Sequence, residues 1–123
     1  MRMLAIETAT PTQGVALAED DRLLAELSYE AKGNRGGLLL PTVDRVLQKA
    51  GVAARDLDAV AVSVGPGSFT GLRVGLATAK GLAFGTGARL VGVPTLEALA
   101  EGCAHANVTL CALLDAYRGE VYM

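Results

Sequence analysis

The chain has 123 residues, of which 51% are hydrophobic and 20% charged, with a formal net charge of −2. That balance fits one globular domain with a real core, and excludes both a disordered tail and a protein that grips nucleic acid by net charge alone. No apolar run approaches the roughly 18 residues that a membrane span requires. The N-terminus "MRMLAIETAT" is too short and polar for a signal peptide, so a cytoplasmic protein is expected.

The chain opens with the short apolar run "MLAIET", ending near Glu7 and Thr8, followed by the polar turn "ATPTQ". "GVALAED" and "LLAELSYE" follow, split by "DDR", which predicts a three-stranded meander. "KGNRGG", containing Asn34, Arg35, Gly36 and Gly37, reads as a loop. From Leu38 to Ala50, apolar residues recur at Leu39, Val43, Val46, Leu47 and Ala50, the spacing of a helix, with Gly51 as its stop. A buried strand, Ala59 to Val64, then opens into Gly65, Pro66, Gly67 and Ser68, and a helix is expected from Thr70 to Phe84. "ARLVGVP" predicts another strand, and "TLEALAEGC" a short helix capped by Thr95. "VTLCALLDA" predicts a further strand ending near Asp115, and "YRGEVYM" a turn and the start of one more.

The order β-β-β-α-β-α-β-α-β predicts an α/β fold: an antiparallel meander joined to parallel strands, with helices packed on the mixed sheet. Where the first strand pairs with both the meander and the fourth strand, Glu7 and Thr8 should meet Gly65, Pro66 and Gly67, with Asp115 near the same rim. Cys103 and Cys111 read as free thiols, the latter in a buried strand. His105 reads as a surface residue, and no metal-binding set is expected. With few aromatic residues, a base-stacking platform is not expected.

Six of the fifteen glycines fall in "GPGSFTGLRVGLATAKGLAFG". A glycine inside a helix costs roughly 0.5–1 kcal/mol relative to alanine, so something must compensate. The loop lacks the Lys-Ser/Thr ending of a phosphate-gripping loop and misses the dinucleotide fingerprint by one residue. With Ser68 or Thr70 as cap it suits either a weak anion site or a plain strand-to-helix turn. Gly71 and Gly75 share one helical face, continued by Ala79, while Ala77 and Gly81 form a second smooth track. Either track lets another backbone approach closely, whether the chain's own sheet or a second subunit. Arg73 and Lys80 project from one side and suit a polar rim around a small-residue contact patch.

Together, "LAIETAT", "GPGSFTGLRVGLATAKGLAFG", "LVGVPTLEALA" and "LLDAYRGEVYM" resemble the TsaB (YeaZ) family over nearly the whole chain. The resemblance implies a ribonuclease-H-like, actin-like lobe in residues 1–115, with residues 116–123 beginning the connection to a second lobe that the chain lacks. It implies a non-catalytic subunit that activates the TsaD ligase, which forms N6-threonylcarbamoyladenosine at position 37 of tRNAs reading ANN codons. The ATPase TsaE joins that assembly in bacteria, TsaC makes the intermediate, and a homodimer is expected when the protein is alone. In the sister TsaD family, histidines after the fifth strand hold a metal. Here Thr95 and Leu99 occupy those positions, so neither metal ligands nor catalytic residues are expected.

No cofactor is expected on this chain alone, and ATP or ADP only within the complex, near Glu7, Thr8, Gly65, Gly67, Ser68 and Asp115. tRNA is expected to bind only through the complex, with Arg35, Arg73 and Lys80 contributing there. The partner surface is expected on the two main helices, at Leu39, Val43, Gly71, Arg73, Val74, Gly75, Thr78, Lys80 and Gly81. A metal-dependent glycoprotease and an actin-like ATPase are the enzyme alternatives. The Asn34–Gly37 loop departs from the histidine-containing pattern of many relatives.

Overall fold

A computed structural model of the chain describes residues 1–33 and 37–123. β1 (Arg2–Glu7), β2 (Thr12–Glu19) and β3 (Arg22–Glu30) form the expected meander, and α1 (Leu39–Ala50) follows. After a single 3₁₀ turn come β4 (Ala59–Ser63), α2 (Phe69–Thr86), β5 (Arg89–Val93) and α3 (Thr95–Glu101). The five strands pair in the order β3-β2-β1-β4-β5, with β1 antiparallel to β2 and parallel to β4. This is the mixed sheet the element order implied, with the switch point between β1 and β4.

Alternation along each strand divides the sheet into two faces. Leu4, Ile6, Val15, Leu17, Val60 and Val62 point one way and build the core with Leu39, Val43, Val46 and Leu47 of α1 and Ala79 and Ala83 of α2. Leu39 is wholly buried and Val43 nearly so, because both belong to the α1 stripe that meets β2 and β3. They are therefore core residues, which corrects the expectation that they face a partner. α1 ends at Gly51, whose φ of 66° is the left-handed conformation that closes a helix cheaply only at glycine.

Three expectations fail toward the C-terminus. Residues 109–113 form no strand; β6 (Leu114–Tyr117) pairs only with β7 (Glu120–Tyr122), as a hairpin separate from the main sheet. An apolar run makes a strand only where a neighbour supplies hydrogen bonds, and among the described residues no strand pairs with this segment. Cys111, expected to be buried, is consequently exposed, as is Cys103. Thr95 does not cap α3. It is the first helical residue, buried, with Pro94 at the cap position and no partner for its Oγ1.

The inner face of α2 answers the glycine question. Gly71, Gly75, Ala79 and Ala83 are its buried residues. A Cβ on Gly71 would strike the Thr8 carbonyl, and one on Gly75 would strike Thr8 Oγ1. This face is sealed against the chain's own sheet and against Thr8, which follows β1, and that corrects the expectation that Gly71 and Gly75 meet a partner. Helix propensity alone predicts that Gly75→Ala stabilises the protein by about 1 kcal/mol. The packing predicts the opposite, a loss of about 1–3 kcal/mol from overfilling. Urea denaturation of the variant decides between them, and a net gain in stability contradicts the packing described here.

Candidate functional site: the groove beside the Gly-Pro-Gly-Ser loop

The end of β1 clasps the start of α2. Thr8 is buried, and its hydroxyl donates to the Gly71 carbonyl at 2.7 Å. The Ser68 amide donates to the Ala9 carbonyl at 2.8 Å. Ser68 is the N-cap, its Oγ accepting from the Gly71 amide at 3.1 Å. Gly67 lies so close to Ala9 that a Cβ there would collide with it. Gly65 takes φ 110°, a region that side chains rarely allow, and its carbonyl accepts the Thr95 amide at 2.9 Å. These bonds fix the loop and leave its outer side as the wall of a groove.

That groove has a volume of about 730 Å³ and runs between the loop and the β6–β7 hairpin. Ala9, Thr10, Pro11, Gly67, Ser68, Phe69 and Thr70 line one side, and Leu114, Asp115, Tyr117 and Tyr122 the other. Among the expected nucleotide-proximal residues, the structure brings Gly67, Ser68 and Asp115 together. Thr8 lies beneath the loop, occupied by Gly71, and Gly65 is outside the lining. The Asp115 carboxylate accepts the Tyr117 amide at 2.7 Å, which organises the hairpin bend.

Glu7 is elsewhere. Alternation turns it to the sheet face opposite α1 and α2, where its carboxylate accepts the Ala9 amide and, at 3.0 Å, the Ser63 hydroxyl. There it lines a cavity of about 270 Å³ with Ser28, Glu26 and Ala98. The two carboxylates expected at one rim therefore do not meet. Among the described residues no cluster of three or more His, Cys, Asp or Glu is placed to hold a metal. No described helix is long and apolar enough to cross a membrane.

The residues that sequence reasoning passed over are Thr10, Phe69, Tyr117 and Tyr122. All four lie inside the distinctive motifs, and the aromatic character of Phe69, Tyr117 and Tyr122 is the available signal. Arg35, one residue expected to help hold tRNA, lies outside the described residues.

On α2 the expected partner residues divide. Arg73, Lys80 and Gly81 are exposed, as are Ala77, Phe84 and Gly85, whereas Val74 and Thr78 are half-buried. Val74 packs against the core.

The family model TsaD, described as tRNA N6-adenosine threonylcarbamoyltransferase, matches residues 31–123. The chain is 37% identical over 122 residues to the tRNA threonylcarbamoyladenosine biosynthesis protein TsaB of Bacillus subtilis (strain 168), covering 99% of this chain and 53% of the relative. It is 41% identical over 126 residues to the protein of the same name from Escherichia coli (strain K12), again covering 99% and 53%. The chain thus spans about half the length of the curated relatives it matches. Among solved structures, YeaZ from Pseudomonas aeruginosa superposes with a TM-score of 0.88 at 33% identity, over 98% of this chain and 57% of that one. RuvC of T. thermophilus superposes at 0.56 with 17% identity, over 79% of this chain and 66% of that one, which shows a shared ribonuclease-H-like fold alone.

Two substitutions test the clasp. Ser68→Ala removes the cap and should cost about 1 kcal/mol. Thr8→Val keeps the shape but removes the hydroxyl donor from the Gly71 carbonyl, which retains its helical partner, for a loss of about 0.5–1.5 kcal/mol. Chemical denaturation measures both, and wild-type stability in Thr8→Val contradicts the role given to its hydroxyl.

Proposed function

Because the chain belongs to the TsaB (YeaZ) family, we propose that it acts as the non-catalytic, partner-binding subunit for the TsaD ligase. The reaction served is formation of N6-threonylcarbamoyladenosine at position 37 of tRNAs reading ANN codons, in the cytoplasm, with TsaE joining the assembly. ATP or ADP then belongs to the complex. In the absence of TsaD the same surface pairs two copies of this chain.

The outward side of α2 carries the reading. Gly81 and Gly85 have no atom within 4 Å of where a Cβ would stand. Each costs the helix about 1 kcal/mol, and among the described residues nothing packs there to offset it, unlike at Gly71 and Gly75. Between them Phe84 is 93% exposed. Covering a phenylalanine ring of roughly 150–250 Å² stabilises by about 2–3 kcal/mol. A bare stretch of helix with an aromatic anchor, Ala77 one turn before and Arg73 and Lys80 alongside, has the anatomy of a partner surface: small and apolar in the middle, charged at the edge.

The test separates folding from association. Gly81→Leu should raise monomer stability by roughly 0.5–1 kcal/mol, yet weaken co-purification with TsaD at least about tenfold. Phe84→Glu should leave the melting temperature near wild type and weaken TsaD binding to a similar degree. Wild-type affinity for TsaD in both variants overturns the proposal.

A further inference from the structure

We propose that the groove between the start of α2 and the β6–β7 hairpin seats an unstacked base of single-stranded RNA. The inference deepens the reading above and rests on it in one respect, that the chain serves a tRNA-modifying assembly.

The chain has only two phenylalanines and three tyrosines, and no tryptophan. Three of those five rings, Phe69, Tyr117 and Tyr122, line this one groove. They are exposed by 74%, 65% and 40% respectively. The Arg73 guanidinium lies 5.4 Å from the centre of the Phe69 ring, placing a cation at the groove's edge. Aromatic rings interleaved with arginine are the chemistry that holds splayed-out bases. The Thr70 hydroxyl lines the same wall and offers a donor and an acceptor to a base edge, whereas those of Thr10 and Ser68 are engaged within the fold, on the Thr12 carbonyl and the Gly71 amide.

The charge of the lining selects the ligand. Among the described residues no lysine or arginine lines the groove, and Asp115 does. A nucleoside triphosphate brings several negative charges into one place and needs cations around them. A base within an RNA strand brings none into the groove, and its phosphodiesters pass outside, where Arg73 stands. The groove therefore fits a strand of RNA better than a free nucleotide.

The experiment uses a fluorescein-labelled anticodon stem-loop RNA with an adenosine-rich loop, followed by anisotropy at low salt, with the chain alone and with TsaD added. The wild type should bind the stem-loop and not a blunt duplex of equal length. Phe69→Ala and Tyr117→Ala should each weaken binding about tenfold or more, while Tyr117→Phe, which keeps the ring, restores it. Both alanine variants should retain TsaD co-purification, which separates this site from the partner surface. RNA affinity unchanged in both alanine variants, or no RNA binding by the wild type in either setting, overturns the proposal. Displacement of the stem-loop by ATP assigns the groove to a free nucleotide and overturns it as well.

Discussion

Thr8 stands where the end of β1 meets the first two turns of α2, with its hydroxyl on the Gly71 carbonyl and its side chain filling the space where Gly75 has none. Much else follows from that approach. The two glycines together cost the helix about 2 kcal/mol. One buried hydrogen bond returns about 1 kcal/mol. The remainder comes from the many small dispersion contacts that open only when strand and helix are this close. A side chain at either position forces α2 away from the sheet, and Ala79 and Ala83, further along the same stripe, lose their seat in the core.

The same approach fixes the loop before the helix. With α2 held against β1, Ala9 comes within reach of the Ser68 amide, and Gly67 has to be glycine to pass Ala9. The loop's inner side is thereby committed to the fold, and its outer side becomes the groove wall. α2 consequently serves three surroundings along its length. Its inner stripe belongs to the sheet, its first turn to the groove, and its outer track, from Arg73 to Gly85, to solvent. Glycines occur in two of these for opposite reasons: Gly71 and Gly75 because a neighbour is too close for a side chain, Gly81 and Gly85 where no neighbour is present.

Much of this was legible beforehand. The meander, α1, β4 and α2 lie within a residue or two of where periodicity and punctuation put them, because each combines a clear period with a stop signal such as Gly51. The sequence leaves the cap open between Ser68 and Thr70, and the structure gives it to Ser68. Which glycine track faces inward was not. Apolar residues ring α2, so spacing identifies two smooth tracks without telling on which side the sheet lies. The segment before Leu114 misled because an apolar run carries no information about whether a partner strand exists. Glu7 was drawn to the wrong cavity because alternation at a strand end reverses with every residue, and proximity in sequence to Thr8 conceals that their side chains leave opposite faces. Phe69, Tyr117 and Tyr122 were passed over because few aromatics were counted, whereas their convergence on one groove depends on tertiary structure.

A double-mutant cycle between Thr8 and Gly75 tests the central claim most directly. Stability is measured by urea denaturation for the wild type, Thr8→Ala, Gly75→Ala and the double variant. If Thr8 is what excludes a side chain at Gly75, shortening Thr8 relieves the collision, and Gly75→Ala costs at least about 1 kcal/mol less in that background. Costs that add to within about 0.5 kcal/mol contradict the account, because Gly75 then owes its identity to something other than the contact with Thr8.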